Sequence, residues 1–358
     1  MEITKAEGNA MKKVVGSIIV ILVILIIGLV IWINVSPMPA VYLLRRQMGE
    51  ASISYPEDEK ERKSRVAVEN DLVYESNDRH NTYDLYMPKD IEGKVPVVIW
   101  IHGGAFVAGS ATGVENWGYM LASEGIAVVS MDYQWAPEMR YPGQARQVQE
   151  CIMTLQKRAA EGLAIDLEQV ILAGDSAGAH IAAQSALINT NPKYATAIGL
   201  QSALNPGDIK AMLLYCGPYD VEKMLNIEDK ALNFFASRIG WSLFGSKNWK
   251  ENPLLETTVI KNYLTKDFPS SFVTDGNNGS FESQGKELVE KMNALNIENH
   301  ALFFDKEVVE TNHEYQTDLL SKEGWQCYEE TIQFLKEQQL IKQKSDNDMN
   351  LSCRYRFF

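Results

Sequence analysis

Cysteine is scarce in this chain of 358 residues: Cys151, Cys216, Cys327 and Cys353 are the four it has. None forms a Cys-x-x-Cys pair, and none joins histidine at zinc-finger spacing, so the chain offers no metal module. A disulfide framework is not expected in a chain of this length. Basic residues are outnumbered, 34 Lys and Arg against 47 Asp and Glu, for a net charge of -13. A protein that lives on phosphate contacts carries the opposite balance, which argues against nucleic acid as a partner. No internal repeat is present, and nothing in the pattern sets an oligomeric state.

What the chain does have begins at the amino terminus. Val14 to Ile33 is a 20-residue run without a charge, preceded by Lys12 and Lys13. At ~1.5 Å per residue, a helix of this length crosses a hydrocarbon core of about 30 Å. Signal-peptide cores are shorter, roughly 7–15 residues, and end in a small-x-small cleavage site. Ser36-Pro37-Met38-Pro39-Ala40 is a poor one. Residues 1–13 therefore read as an N-terminal tail and 14–35 as an uncleaved transmembrane helix, with a cleaved signal peptide as the alternative. Lys5, Lys12 and Lys13 lie on one side, Arg45 and Arg46 further from the other. The positive-inside rule then favours a single-pass cell-membrane protein with its larger part on the extracytoplasmic side. Residues 36–65 read as a linker, with the mixed-charge run Glu57 to Lys63 as a solvated helix or linker.

From residue 66 the pattern turns strand-like. Val66-Ala67-Val68 and Asp71 to Tyr74 are short candidates, and Tyr83 to Pro88 alternates before ending at proline. Val95 to Ile101, Ile126 to Met131, Val170 to Ala173, Ala211 to Tyr215 and Ser271 to Thr274 are apolar runs suited to strands buried on both faces. Ala301 to Phe304 is the last. Helical stretches fall between them, at 117–123, 145–160, 176–187, 284–295 and 324–339. Alternation of this kind predicts an α/β domain over 66–340, with a mostly parallel central sheet and helices on both faces. Residues 221–268 break the rhythm and carry Phe234, Phe235, Trp241, Phe244, Trp249 and Tyr263, which reads as a helical cap insertion. Residues 341–358 read as a C-terminal tail.

The strongest chemical signal is Gly174-Asp175-Ser176-Ala177-Gly178, with a buried strand before it and an Ala-rich helix after it. That context is what a nucleophile elbow requires. Glycines relieve the crowding of the strained turn, and the helix start supplies N–H groups where an oxyanion would form. About 70 residues upstream, a strand runs into His102-Gly103-Gly104-Ala105-Phe106. Paired glycines can turn backbone N–H groups inward, so Gly103, Gly104 and Ala177 are the expected oxyanion-hole donors, with His102 structural. Among five histidines, His313 alone follows the last strand, as the order serine, acid, histidine demands. The acid is contested: Asp275 at a strand end is the first choice, with Glu282 and Asp220 as alternatives. Asn278-Gly279-Ser280 also fits a glycosylation sequon, a pattern that arises readily by chance.

Taken together, these motifs resemble the carboxylesterase side of the α/β-hydrolase superfamily, in its hormone-sensitive-lipase-like and acetyl-esterase-like groups and especially their bacterial forms. The matching segments are His102 to Phe106, Met131 to Glu138, Tyr141-Pro142, Gly174 to Gly178 and His313-Glu314-Tyr315. The resemblance implies hydrolysis of small-molecule carboxylic esters, short-chain or lipid-like, through an acyl-enzyme and without cofactor or metal. Ser176 would attack and His313 would take its proton. Two departures stand out. The family's acid slot, Gly-x-x-Asp, reads Gly276-Asn277-Asn278-Gly279 here, and no carboxylate occurs in Gln144 to Gln147 after Tyr141-Pro142. A peptidase or a polysaccharide deacetylase would use the same serine and histidine, and an inactive binding module would keep the fold alone.

Overall fold

A computed structural model describes residues 2–48, 53–225 and 230–341. Cys353 and the expected tail, apart from Ile341, lie outside the described residues.

Helix α1 (Glu2–Val35) is continuous through the charge-free run, and its stretch Lys12–Val35 is long and apolar enough to cross a membrane. The apolar side chains of residues 14–32 are exposed. It stops where Ser36 precedes Pro37, a position pushed out of helical conformation by the proline ring. Helix α2 (Met38–Gln47) buries Ala40 and Val41 against the body. Its Arg45 donates to the carbonyls of Val107 (2.7 Å) and Ala136 (3.1 Å) and pairs with Glu138. Helix α3 (Glu59–Ser64) coincides with the mixed-charge run, yet its Arg62 is buried. That guanidinium satisfies its donors on Asp58, Ser123, Glu124 and the Tyr328 hydroxyl.

The sheet comprises β1 (Val66–Val73), β2 (Thr82–Pro88), β3 (Val95–Ile101), β4 (Ala127–Met131), β5 (Ile165–Asp175), β6 (Ile209–Tyr215), β7 (Ser270–Asp275) and β8 (Asn299–Phe303). Their spatial order is β1-β2-β4-β3-β5-β6-β7-β8. Only β2 pairs antiparallel, with β1 and β4; the rest is parallel. The two short strands expected at 66–68 and 71–74 are one edge strand with a register shift between Glu69 and Leu72. Asp71 has a φ of 56° there, and its N–H is taken by Asp84 Oδ1 at 2.9 Å.

Helices α4 (Glu115–Ser123), α5 (Gly143–Ala160), α6 (Ala177–Thr190), α7 (Pro192–Ile198), α8 (Val221–Leu225), α9 (Lys230–Phe244), α10 (Glu282–Ala294) and α11 (Lys322–Glu337) surround the sheet. The unbroken apolar run of β3 has its explanation here. Val97, Ile99 and Ile101 join the core under α5 and α6, while Val98 and Trp100 join the core under α4 and α11. Neither face meets water, so neither face needs polar residues. The sequence pattern does not separate helix α7 from α6; the Asn191 side chain caps it by accepting the N–H groups of Lys193 and Tyr194. Between β6 and β7 the described residues form α8, α9 and three short 3-10 turns, with Phe244 and Trp249 buried. The whole is an α/β-hydrolase fold. Its parallel register sets Asp175 beside Tyr215 and Tyr215 beside Thr274, so the ends of β5, β6 and β7 reach one edge together.

Candidate active site

Strand β5 ends and α6 begins with a single residue between them, Ser176. Its backbone sits at φ 50°, ψ -122°, a region costly for any residue with a Cβ. Its N–H is held by the Tyr215 carbonyl at 2.9 Å. The turn is tight enough that a Cβ on Gly178 would lie 2.0 Å from the Ile101 carbonyl oxygen, so only glycine fits there. Ser176 thus stands at the carboxyl edge of the sheet, 8% exposed, ahead of the amino terminus of α6.

His313 lies in the connection between β8 and α11 and points its Nε2 at Ser176 Oγ, 2.9 Å away. A side chain 31% exposed leaves the pair open to a ligand from outside. Removal from water pushes the imidazole down to about 4. The loop is laced to the segment after β7: Asn278 N–H donates to Thr311 O and Thr311 N–H to Asn277 Oδ1, each at 3.0 Å. The Asn278 side chain donates to Glu310 and Asn312, so the amide of the apparent sequon is engaged within the fold.

The three candidate acids are separated by this arrangement. Asp275 ends β7 with no exposed surface, and burial raises its carboxyl to about 7. It reaches His313 through Ser280: Ser280 Oγ donates to Asp275 Oδ1 and lies 2.6 Å from His313 Nδ1. Glu282, on the first turn of α10, pairs with Lys286 at 2.8 Å. Asp220 accepts the Lys223 N–H at 3.0 Å at the start of α8. Neither is hydrogen-bonded to His313.

The other histidines have different partners. His102 stacks on Tyr133 with Nδ1 at 2.6 Å from Gly103 O, and His180 meets Pro218 O. His300 pairs with Glu330, and His80 stacks on Trp135.

The expected oxyanion donors divide. The Gly103 N–H is already committed to Asp175 Oδ2 at 2.8 Å, which corrects its assignment as a free donor. Gly104 has a φ of 110°, and a Cβ there would lie 2.2 Å from Ala108 O. Ala105 (φ 52°) and Phe106 (φ 64°) continue the left-handed course. Ala177 is the first residue of α6, where helix N–H groups lack intrahelical acceptors. Asp175 also accepts Trp100 Nε1 at 2.7 Å and lies beside Glu314, whose carboxyl is pushed well up by burial and by the Asp175 charge. Ser280, Asp175 as a loop anchor, and Glu314 were missed by sequence reasoning. Asp175 occupied a variable position of the elbow motif, and Ser280 had only the sequon to mark it.

Among the described residues, one trio has metal-ligand geometry: Cys216, Asp275 and His313 bring ligand atoms within 4.8 Å of one another. The set does not fit. Both His313 nitrogens face hydroxyls, and burial pushes the Cys216 thiol well up, away from the thiolate a metal needs.

Comparison with known proteins bears on the fold and the family. The chain is 28% identical over 169 residues to an isoprenylcysteine alpha-carbonyl methylesterase of Arabidopsis thaliana, covering 44% of this chain and 36% of that protein. It is 26% identical over 220 residues to the esterase LipQ of Mycobacterium tuberculosis, covering 59% and 49%. It thus spans between about a third and a half of the length of such curated relatives. Among solved structures, esterase B from Lactobacillus rhamnosis superposes with a TM-score of 0.68 at 24% identity, over 80% of this chain and 90% of that one, a likeness of fold. The BD-FAE family model matches residues 83–292, from β2 into α10 and across the Ser176 elbow, and the chain belongs to that family of α/β-hydrolases.

Proposed function

We propose that this protein is a carboxylesterase-type serine hydrolase acting on small ester substrates. The observation that carries the reading is the 2.9 Å approach of His313 Nε2 to Ser176 Oγ at a strained strand-to-helix turn. Ser176 Oγ attacks the ester carbonyl carbon and passes its proton to His313 Nε2. The carbonyl oxygen becomes an oxyanion, received by the N–H groups of Gly104 and Ala177. Each such donor contributes roughly 3 kcal/mol to the barrier reduction. The tetrahedral intermediate then collapses. The alcohol leaves with the proton from His313, and an acyl-Ser176 ester remains. Water repeats the cycle with His313 as base, releasing the acid and restoring the serine. Asp275 is the carboxylate of the set. The esterase names borne by relatives support this class of reaction.

Residues 14–35 anchor the enzyme as a single-pass cell-membrane protein, with the hydrolase unit of 66–340 on the extracytoplasmic side. Residues 221–268 cap the acyl pocket. Their aromatic side chains suit short-chain or lipid-like esters. An active-site fluorophosphonate should label the wild-type protein but not Ser176→Ala, and p-nitrophenyl esters of increasing chain length should define the acyl preference. A folded wild type that neither labels nor hydrolyses any ester would refute the reading. Intact mass of the membrane-extracted protein distinguishes the anchor from a cleaved signal peptide.

A further inference from the structure

Ser280 stands between His313 and Asp275. Its Oγ lies 2.6 Å from His313 Nδ1 and donates to Asp275 Oδ1. Asp275 makes no hydrogen bond to His313 itself. Its Oδ1 takes the Ser280 hydroxyl and the Phe281 N–H (3.3 Å), and its buried Oδ2 has no partner.

We propose that Ser280 is a positioning residue of this hydrolase, a hydroxyl that relays the Asp275 carboxylate to His313 and so selects the imidazole tautomer able to accept the Ser176 proton. The proposal rests on the hydrolase reading of Ser176 and His313. A serine hydroxyl has one proton to give. When Asp275 is ionised it can only accept, so Ser280 donates to it and presents a lone pair to His313. Nδ1 must then carry the imidazole proton, which leaves Nε2 bare toward Ser176. When Asp275 is protonated, its own O–H can turn to Ser280, whose proton is then released toward Nδ1. The tautomer reverses, and Nε2–H can no longer take a proton from Ser176. In the forward direction the proton moves only from Ser176 Oγ to Nε2. The imidazolium charge that results is met at Nδ1 by the Ser280 oxygen, itself polarised by Asp275. The groups facing Asp275 are Cys216 and Tyr219 from the segment after β6, Ser280 and the Phe281 N–H ahead of α10, and His313. Burial, the largest influence, raises Asp275 to about 7, whereas His313 is lowered to about 4.

The test is a comparison of kcat and KM for a short p-nitrophenyl ester, across pH 4 to 9, in the full chain purified in detergent. Wild type, Ser280→Ala, Ser280→Thr, Asp275→Asn and the Ser280→Ala/Asp275→Asn double variant are compared. Ser280→Ala should lose kcat by about tenfold or more with KM within about twofold, the signature of an interaction that matters in the transition state. Ser280→Thr, which keeps the hydroxyl, should stay within about threefold of wild type. The double variant should be no worse than the poorer single, because both changes break one chain. The wild-type acid limb should fall near pH 7 and vanish in Asp275→Asn. Wild-type kcat and an unchanged acid limb in Ser280→Ala, alongside a crippled Asp275→Asn, would overturn the relay. So would losses that multiply in the double variant. A wild type without hydrolysis or fluorophosphonate labelling is a different failure and sinks the hydrolase reading itself.

Discussion

The carboxyl groups of Glu314 and Asp175 lie close together beside the Ser176 turn: a Cβ on Gly103 would lie 2.8 Å from Glu314 Oε1 and 2.5 Å from Asp175 Oδ2. Asp175 accepts from Trp100 Nε1 and from the Gly103 N–H, and burial together with its charge favours the protonated form of Glu314. The pair joins three segments: the loop after β3, the end of β5 and the His313 loop. Glu314 takes a left-handed φ of 59° to reach it.

This pairing predicts an alkaline loss of stability. Burial and the Asp175 charge raise the Glu314 carboxyl in the fold. A raised folded value means that the stabilising contribution is complete below the unfolded carboxyl range, about 4.3, and is lost as pH rises through the folded value. Melting temperatures of wild type and Glu314→Gln, measured from pH 5 to 9, should diverge, with wild type falling relative to the glutamine variant as pH rises. Asp275 shifts in the same direction but is common to both proteins, so the difference isolates Glu314. Parallel curves would show that the pair carries no proton.

Replacing members of the proposed catalytic set should separate them by size of effect. Ser176→Ala and His313→Ala should each lower kcat by about 10⁴-fold or more, as expected where nucleophile and base act as a unit. Asp275→Asn should cost about 10²- to 10⁴-fold. Glu282→Gln should remain near wild type, because that carboxylate pairs with Lys286 away from His313. Steady-state ester hydrolysis reads all four, and a large loss confined to Glu282→Gln would reassign the acid.

Arg45 ties α2 to the loop that carries Gly104. Its guanidinium holds the Val107 and Ala136 carbonyls, pairs with Glu138 and covers the Trp135 ring. Lysine cannot reproduce that fork. Arg45→Ala and Arg45→Lys should both lower kcat about three- to tenfold and cost roughly 1–2 kcal/mol of stability, since hydrogen bonds to a charged group are lost and packing with them. Urea denaturation alongside ester kinetics checks both figures. Unchanged kinetics in both variants would mean that the 103–107 loop holds its shape without the clamp.

The elbow's geometry makes a steric prediction. A Cβ at Gly178 would press on the Ile101 carbonyl, a backbone atom at the end of a central strand, whereas a Cβ at Gly207 meets nothing within 4 Å. Gly178→Ala should therefore destabilise by about 3 kcal/mol or more, or fail to fold, and Gly207→Ala should stay within about 0.5 kcal/mol. Equal stability of the two by chemical denaturation would contradict the close approach.

Much of this protein was legible in the chain. Continuous apolar runs at β3, β4 and β6 marked strands buried on both faces, because a parallel sheet covered by helices has no wet side. The Gly-x-Ser-x-Gly turn between a strand and a helix marked Ser176, since only that local context forces the strained backbone. The order of elements singled out His313. These are readings of local sequence, and local sequence determined them.

Tertiary structure decided the rest, because it depended on which loops meet. That the Gly103 N–H is spent on Asp175 follows from the register that sets β3 beside β5. That Ser280 intervenes between His313 and Asp275 follows from the lacing of the 276–280 loop to 310–313, segments about 30 residues apart with no periodic signal between them. That Arg62 sits buried within an apparently solvated charge run follows from the approach of Glu124 and Tyr328. A side chain's neighbours along the chain announce its backbone, while its partners across space fix its charge, its tautomer and its use.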